Sequence, residues 1–579
     1  MRTSRLLLSI AFALAAPTLL TAQKRPDVCL DPEASYIYPN EQQLVASGSM
    51  VHAAWIEERE QGLPHVYYTR SLDGGRTWFP GAVRIDTGLV EASLPSDVQL
   101  AASGASVYAL WLASEIGVVG FNRSLDGGTT WLPSAMPLGS ENSRHNPQIA
   151  AAGDHVYAVW FEFRGGGEHT IFFTRSLDRG SSWSAVRALD LGNPTDYVQP
   201  TRPQIVATDS AVFVTWSDRR NGRSDIFVSG SFDEGTTWPL DQRRLDLGSP
   251  PGTAHSVSPC IAAQGLQVFV SWLDTRSEGG DVYFTRSLDG GLTWLPEEVR
   301  VSLAAPPGTG ADSPALAVSG SDVYVSWLEG TYFTSTSYYN RSRDNGATWE
   351  RVARPLAPGI ENATGTLVAS ESCVFTLWSR TGFVDDGFFF DRSVDRGETW
   401  LPAAVAISSG PPAAVGNGSV AVGGSSVYAM WLDSRGGSSP QMYFTLVLGH
   451  QPYGNGLAGS GGFVPELRCE GEPCIGRTFI AEVEHGRGGA PAVVAVGLNG
   501  PASIPFRGGT LLVQPPLFQK VLRLGGTPGV AGAGSGSVPL FLPLDASLLG
   551  TRLNLQAFVL DPGAPRKAAL SAGIESWIL

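Results

Sequence analysis

The sequence is short of cysteine, of positive charge and of long apolar runs, and each shortage excludes a class of protein. Its five cysteines among 579 residues are too few to build a disulfide scaffold. Forty lysines and arginines against 54 aspartates and glutamates give a net charge of -14, which argues against nucleic acid as a partner. No segment beyond residue 22 is long and apolar enough to cross a membrane, and no run has helical periodicity.

The first 22 residues have the three parts of a secretory signal peptide. Arg2 and Arg5 lie in a short basic start, an apolar run extends from Leu6 to Leu20, and Ala22 is the small residue before the expected cleavage point. Pro17 interrupts the apolar run, which disfavours a membrane span. We therefore expect a secreted or cell-envelope protein that does not span a membrane.

The cysteines and histidines offer one candidate disulfide and no metal site. Cys469 and Cys474, in the segment CEGEPC, are close enough to bridge in an oxidising compartment. The other cysteines, Cys29, Cys260 and Cys373, are expected to be buried or free thiols. His145 and His255 have no second ligand at the spacing of a metal site, so we predict neither a metal nor a cofactor.

One segment recurs along the chain, first as TRSLDGGRTW at residues 69–78. We call the part from its serine to its tryptophan the box. A box has serine two residues before an aspartate, glycine two residues after it, and Thr-Trp or Ser-Trp at its end. The seven box aspartates are 51 to 56 residues apart, a period typical of propellers and solenoids: Asp73, Asp126, Asp178, Asp233, Asp289, Asp344 and Asp395.

A run of aromatic and β-branched residues ending in tryptophan precedes each box, as in VYAVW and VFVSW. These tryptophans number eight, one more than the boxes: Trp55, Trp111, Trp160, Trp216, Trp272, Trp327, Trp378 and Trp431. Each unit contains four short strands separated by glycine, aspartate and proline. The pattern predicts an all-β fold, an eight-bladed β-propeller over residues 27–448, with seven blades as the alternative if the first or last unit is irregular.

The last unit, about residues 418–448, has three strands, no box and no fourth strand. The segment DVCLD, residues 27–31, aligns with AVRID at residue 82 and RRLDL at residue 243, each just ahead of a unit's first strand. Rings of antiparallel blades commonly complete the last blade with a strand from the other terminus. We therefore predict that residues 27–31 close the ring.

The box residues account for a turn without any catalytic role. Aspartate and serine accept backbone N–H groups, glycine permits a positive φ, and tryptophan covers the turn. The box resembles the Asp-box, or BNR, repeat S-x-D-x-G-x-x-T/W of the sialidase superfamily, over about residues 27–448. The resemblance implies that each box joins the third and fourth strands of a blade, away from the catalytic face.

The resemblance does not carry catalytic residues with it. Sialidases of this superfamily hold the substrate carboxylate with three arginines, and use a tyrosine nucleophile activated by a glutamate and an aspartate as acid/base. Their Arg-Ile-Pro landmark is absent before the first box, where Arg25-Pro26 precedes the closing strand. No residue of this chain is therefore assigned a catalytic role.

Candidate ligand-binding residues lie on the face opposite the boxes. The loops entering the first strands offer Arg144, His145, Asp196, Tyr197, Arg202 and His255. The loops after the tryptophan strands repeat an acid and an arginine: Glu57 and Arg59, Glu162 and Arg164, Asp218 and Arg219, Asp274 and Arg276, and Asp433 and Arg435. Such pairs could bind sugars or a carboxylate, or be repeat architecture. Arg144, Tyr197 and Arg202 break the repeat and are the stronger candidates.

The chain changes character after Leu448. Residues 449–464 are Gly-rich and indicate a linker, and residues 465–579 alternate short apolar runs with Gly and Pro turns, which predicts a small β-sandwich. The segment SGSVPLFLPLDASLLGTRLNLQAFVLDP resembles a C-terminal module that recurs on otherwise unrelated secreted bacterial proteins. That resemblance implies attachment, sorting or display at the cell surface.

Together these features predict a monomeric extracellular module that binds glycans or cell-surface proteins. An exo-α-sialidase-type glycoside hydrolase and a structural cell-envelope protein are the alternatives. Three arginines around one carboxylate, beside a Tyr-Glu pair, would favour the enzyme.

Overall fold

The protein is described here from a computed structural model. The described residues are 27–31, 36–59, 63–89, 94–139, 144–163, 169–190, 201–238, 240–277, 279–303, 310–331, 334–356, 363–370, 373–380, 387–393, 395–400, 404–407, 414–423, 426–434, 440–448, 451–470, 473, 476–498, 500–515, 518–543, 545, 548, 551–564 and 566–578. Within them no helix has the length and apolar character needed to cross a membrane.

The propeller is confirmed: the described residues contain eight antiparallel sheets of four strands each, which we number as blades in chain order. Blades 1 to 4 contain β2–β5 (Tyr36–Ser47, Met50–Glu58, Pro64–Ser71, Val83–Arg84), β6–β9 (Pro95–Ser103, Ser106–Ala113, Val118–Ser124, Met136–Leu138), β10–β13 (Arg144–Ala152, His155–Phe163, His169–Ser176, Arg187–Ala188) and β14–β17 (Thr201–Ala207, Val212–Asp218, Asp225–Ser231, Leu240–Arg244). Blades 5 to 8 contain β18–β21 (Ser256–Gln264, Gln267–Asp274, Asp281–Ser287, Val299–Arg300), β22–β25 (Gly310–Ser319, Asp322–Thr331, Thr334–Ser342, Arg354–Pro355), β26–β29 (Ala363–Ser370, Cys373–Arg380, Gly387–Ser393, Val405–Ala406) and β30–β32 (Ala414–Gly423, Ser426–Asp433, Gln441–Leu448) with β1 (Val28–Cys29).

The blades form a closed ring. The first strand of each blade packs against the first strand of the next, and β30 of blade 8 packs against β2 of blade 1. β1 runs antiparallel to β32, with Val28 opposite Phe444 and Cys29 opposite Tyr443, and so completes blade 8 as predicted. Because both ends of the propeller sequence share one sheet, blade 8 has no unpaired outer edge next to β32.

Each second strand is buried on both faces, because it lies between neighbouring blades. This explains why runs such as VYAVW are almost continuously apolar instead of alternating. The eight tryptophans that end these runs are all buried, and the apolar clusters around them join one blade to the next. The core of the propeller therefore lies between the blades.

Every box closes its turn with the same hydrogen bonds. In the first, the Ser71 hydroxyl donates to Asp73 Oδ1 at 2.7 Å and accepts the Gly75 N–H at 2.8 Å. Asp73 also accepts the Thr77 N–H at 2.8 Å and the Thr77 hydroxyl at 2.6 Å. The boxes around the other aspartates repeat these bonds. The box aspartates are therefore engaged by their own turns.

The boxes also join neighbouring blades. The Trp78 ring meets Phe444 of blade 8 edge to face, with 4.7 Å between centroids, and a Cβ on Gly75 would overlap the same phenylalanine. Five more box tryptophans meet a ring of the preceding blade in this way. In the other direction, Arg70 Nη1 donates to Gly127 O of the next box at 2.6 Å. A box is thus both a turn and a joint between blades.

The C-terminal part is a β-sandwich, as predicted. Its strands are β33 Gln451–Tyr453, β34 Glu466–Glu470, β35 Thr478–Gly486, β36 Pro491–Gly497, β37 Pro501–Phe506, β38 Gly509–Val513, β39 Phe518–Arg523, β40 Gly534–Phe541, β41 Arg552–Leu560 and β42 Ala568–Trp577, with one 3-10 turn at Ser460–Gly462. A sheet of order β33-β42-β41-β36-β39 packs over one of order β34-β35-β40, and their facing side chains form one apolar cluster. β37 and β38 form a separate hairpin.

The predicted disulfide falls partly outside the described residues. Cys469 lies in β34, whereas Cys474 is not among the residues described, so the bridge stays a prediction. Cys373 is buried, and the Cys260 thiol donates to Pro314 O at 2.9 Å. Burial raises the pKa of Cys260 to about 12, so this thiol is not reactive at neutral pH.

Candidate functional site

The two ends of the propeller are chemically different. Box turns and the hairpins between first and second strands share one end, where Gly74 N–H donates to Ser49 O at 2.8 Å. The starts of the first strands and the loops after the second strands share the other end, which we call the entry face. Of the candidate ligand-binding residues named from the sequence, the described ones, such as His145, Arg202 and His255, lie at the entry face.

The first strands of blades 2 to 6 each carry a β-bulge near the entry face. Two residues of the first strand lie opposite the single tryptophan of the second strand, and the ladder register shifts there. The first residue of each pair has a left-handed φ of 46 to 53°: Asp97, Asn146, Arg202, Ser258 and Ser313. Residues other than glycine seldom adopt this conformation, and it is concentrated at functional sites.

The second residue of each bulge explains why the bulge forms. It is buried in all five blades: Val98, Pro147, Pro203, Pro259 and Pro314. Proline has no N–H to give to a ladder, and within sheets it is tolerated at bulges and edges. A proline at the same place in four successive units is the sequence signal for these bulges, which were not among the features predicted above.

Hydrogen bonds link some of the bulge residues from one blade to the next. Glu41, at the same level of blade 1, accepts the Asp97 N–H through Oε2 at 2.6 Å. The Asp97 carboxylate in turn accepts the Asn146 N–H. Farther round, Arg202 Nη1 donates to Ser258 Oγ at 2.8 Å. We call the set Glu41, Asp97, Asn146, Arg202, Ser258 and Ser313 the bulge ring.

The acidic part of the bulge ring titrates near neutral pH. Burial, together with the charge of Asp97, raises the pKa of Glu41 to about 7. Burial also raises the pKa of Asp97, although His145 and the Asn146 N–H act in the opposite direction. Burial lowers the pKa of His145, against the effect of Asp97. At pH 7 this side therefore combines a half-protonated carboxyl group with a neutral imidazole.

A second recurring arrangement, which we call the clasp, follows the second strand. In blade 1 the buried Glu57 accepts the Trp55 indole N–H at 2.9 Å and pairs with Arg59 Nε at 2.8 Å. The Arg59 guanidinium lies 4.0 Å from the centre of the Tyr67 ring and also pairs with Asp31, just beyond the closing strand. The acid and the arginine are thus engaged by the protein itself.

The predicted Asp274–Arg276 pair is a clasp of the same kind. Arg276 pairs with the fully buried Asp274, lies 4.1 Å from the centre of the Tyr283 ring, and donates from Nη1 to Glu298 at 2.5 Å. Asp274 also accepts the Ser256 hydroxyl at 3.0 Å. This pair is accounted for by contacts within and between strands of blade 5.

The predicted pairing of Asp218 with Arg219 is wrong. Asp218 pairs with Arg220, whose Nε donates to Asp218 Oδ2 at 2.9 Å and whose guanidinium lies 4.3 Å from the centre of the Phe227 ring. In an extended chain residues two apart lie on the same side, so the acid reaches the second arginine of the Arg-Arg pair. Arg219 instead is exposed, and its Nε lies 3.4 Å from Ser224 Oγ.

The remaining candidates have separate positions. The pKa of His255, just before blade 5, is lowered first by burial and then by the charges of Arg223 and Arg219 of blade 4. These three basic side chains therefore lie near one another. Residue 144 pairs with residue 162 in the ladder, but its side chain is not described. Outside the described residues lie Arg164, Asp196, Tyr197 and Arg435.

Two of the predicted candidates lie at the level of the bulges, in different blades. Arg202 belongs to the bulge ring, and His145 adjoins it beside Asp97. Arg59, Arg220 and Arg276 belong to separate clasps, each paired with a carboxylate of its own blade. Within the described ranges no group of three or more His, Cys, Asp or Glu could hold a metal ion.

Comparisons with known proteins give distant structural likenesses. No family model and no curated protein matches the sequence. A solved polysaccharide lyase, the PL25 ulvan lyase bound to -[GlcA(1-4)Rha3S]-, is 13% identical with a TM-score of 0.42, covering 73% of this chain and 96% of its own. A Hadza microbial sialidase is 12% identical (TM-score 0.35, covering 74% and 98%), and the Trypanosoma rangeli sialidase in complex with the inhibitor DANA is 11% identical (TM-score 0.33, covering 96% and 95%). With identities and TM-scores this low, their activities are statements about those proteins alone.

Proposed function

We propose that this protein is an extracellular glycan-binding propeller whose ligand site is the bulge ring on the entry face. One observation carries the proposal. The bulge ring repeats an uncommon backbone conformation in five successive blades but places a different set of polar side chains on it. An extracellular location is supported by the signal-like first 22 residues.

The bulge ring has the mixture of groups that sugars require. A sugar hydroxyl both donates and accepts, so it is bound best where acceptors and donors lie side by side. Glu41 and Asp97 supply acceptors, Arg202 supplies a guanidinium donor, and Asn146 and Ser258 supply both kinds. The clasp arginines Arg59 and Arg276 are already paired with buried carboxylates of their own blades.

Hydrolysis at the same place is the second candidate function. It is favoured by Glu41, whose pKa of about 7 keeps a fraction of its carboxyl protonated at neutral pH, next to the Asp97 carboxylate. Glycoside hydrolases use a pair of carboxyl groups, one of which supplies a proton. Attachment to a cell-surface protein, through the C-terminal sandwich, is a role compatible with both functions.

A glycan array and a panel of fluorogenic glycosides, sialosides included, test the proposal on the full chain. The informative variants put at one bulge the residue that another bulge already uses: Arg202→Asn and Asp97→Ser. Both replacements suit a left-handed φ, as Asn146 and Ser258 show. The matched control is Arg243→Ala, an exposed arginine of β17.

We expect Arg202→Asn and Asp97→Ser each to weaken glycan binding at least tenfold, and Arg243→Ala to leave it unchanged. The melting temperature of each variant shows whether the fold is intact. Glycan binding that survives both bulge variants would place the site elsewhere. Release of the fluorophore, abolished by Glu41→Gln, would make hydrolysis the function.

A further inference from the structure

Four rings gather at the entry end of blade 3, next to the bulge ring. His145 lies opposite Phe161 across one ladder, and Phe163 lies opposite His169 across the next. Phe161 and Phe163 are two residues apart, so all these side chains share one face of the sheet. We call His145, Phe161, Phe163 and His169 the aromatic platform.

The rings of the platform hold one another in place. Phe163 meets His169 edge to face with 4.1 Å between centroids, and meets His145 at 4.8 Å in the same manner. His145 and His169 each stack on Phe161, at 5.2 and 5.5 Å. A ring fixed from two sides loses little further freedom when a ligand covers it.

Phe163 stays exposed although its neighbours in the platform are covered. Its side chain is 41% accessible, whereas Phe161 and His169 are buried. The residue three positions after the second-strand tryptophan is not aromatic in any other blade: Glu58, Ser114, Arg219, Thr275, Gly330, Thr381 and Ser434. The propeller architecture therefore does not require an aromatic ring at this position.

We propose that the aromatic platform is a stacking subsite for a pyranose ring, with the sugar's C–H face on Phe163 and its hydroxyls within reach of the partly exposed His145 imidazole. The inference rests on the proposed glycan binding and adds the chemistry of its ligand. The negative face of an aromatic ring attracts the weakly positive C–H groups of a sugar. His145 precedes Asn146 directly, so one sugar unit on the platform adjoins the bulge ring.

The test uses two pyranosides and one acyclic polyol as probes of the full chain. Methyl β-D-galactopyranoside and methyl β-D-glucopyranoside have a C–H face, whereas sorbitol has comparable hydroxyls and no ring. Saturation-transfer NMR, with irradiation of the aromatic protons, reports which sugar protons lie on a ring. Calorimetric titration gives the affinity.

The variants separate stacking from general loss of apolar surface. Phe163→Ala is expected to lower pyranoside affinity about tenfold, as removal of one stacking ring does elsewhere, and to abolish transfer to the sugar ring protons. Phe163→Tyr, which keeps the ring, is expected to stay within about twofold of the parent chain. Phe79→Ala is the matched control, since Phe79 is 47% accessible and lies by a box.

The outcomes distinguish the two proposals. If array glycans bind and Arg202→Asn abolishes their binding while Phe163→Ala does not change it, the platform is not a subsite but the proposed function stands. Equal transfer to sorbitol and to the pyranosides also overturns the stacking subsite. If no glycan and no pyranoside binds the parent chain, both proposals are wrong.

Discussion

The turns at one end of the propeller and the bulges at the other are repeated in different ways. Every box repeats its side chains together with their hydrogen bonds, so that Asp73 and Asp289 make the same contacts in different blades. The bulges repeat their backbone and, in four blades, a buried proline, but they present Asp97, Asn146 or Arg202 at the same left-handed position. A side chain that recurs with its bonds is explained by folding. A side chain that varies on a recurring backbone is not explained by folding in this way, and we propose that ligand binding accounts for it.

The largest loss of stability is expected when the arginine of a clasp is removed from its buried carboxylate. Arg220→Ala removes the partner of the fully buried Asp218, and we expect a loss of about 3 kcal/mol in the free energy of unfolding, because a buried carboxylate is left uncompensated. The neighbouring Arg219→Ala, which removes an exposed arginine outside the clasp, should cost less than about 0.5 kcal/mol. Urea unfolding of both variants measures the difference, and a costlier Arg219→Ala would refute the pairing described here.

A smaller loss is expected at the joint between blades 1 and 8. Trp78→Ala removes the edge-to-face contact with Phe444 and part of the apolar cover of the closing blade, which should cost about 2 kcal/mol. Phe79→Ala, beside it and exposed, serves as the control. Both variants should keep the glycan affinity of the parent chain at temperatures well below melting. If Trp78→Ala loses glycan binding while its fold is intact, the box end is not purely structural and the proposed restriction of binding to the entry face is wrong.

The smallest effect is a difference in pH dependence between the two ends. Glu41 has a pKa of about 7 in the folded chain and about 4.5 when unfolded, so the folded state holds the extra proton and stability falls as pH rises from 5 to 8. Hydrogen bonds from Thr293 hold the pKa of Asp289 at about 2, so the stability it contributes above pH 4 is lost as pH falls toward 2.

Melting temperatures measured from pH 2 to 8 check these opposite signs. Glu41→Gln should flatten the decline between pH 5 and 8 and leave the behaviour at acid pH unchanged. Because Glu41 is partly exposed and solvent screens its charge, we expect a change of about 1 kcal/mol, less than the full pKa shift would give. Asp289→Asn should act only at acid pH. Burial also raises the pKa of Asp190 to about 8, so the stability that Asp190 contributes falls over the same pH range as that of Glu41. Asp190 is present in both variants and contributes equally to them. If Glu41→Gln leaves the decline above pH 5 unaltered, Glu41 is not the titrating group.

The sequence predicted the parts of the molecule that depend on local contacts. The box turns involve residues at most four apart, and the closing strand could be aligned with other strands of its kind. The bulges were not predicted, because a bulge depends on how many residues of one strand lie opposite one residue of its partner. The prolines are the local signal for it in the sequence. Glu41 and Asp97 were missed for the same reason, since their proximity arises from the packing of blade 1 against blade 2. The Asp218 clasp was misassigned because Arg219 and Arg220 are adjacent, and only side-chain direction separates them.

The pairing of β1 with β32 also determines the order of events in folding. Val28 meets Phe444, a residue near the far end of the propeller sequence, so this contact spans almost the whole ring. Loop closure of that length is slow compared with the formation of hairpins within a blade. A chain emerging from the ribosome or from an export channel therefore carries an open arc of blades, with Trp78 still uncovered by Phe444, until the last blade is delivered. We therefore expect ring closure to be a late step of folding that depends on Val28 and Cys29, the residues of the closing strand.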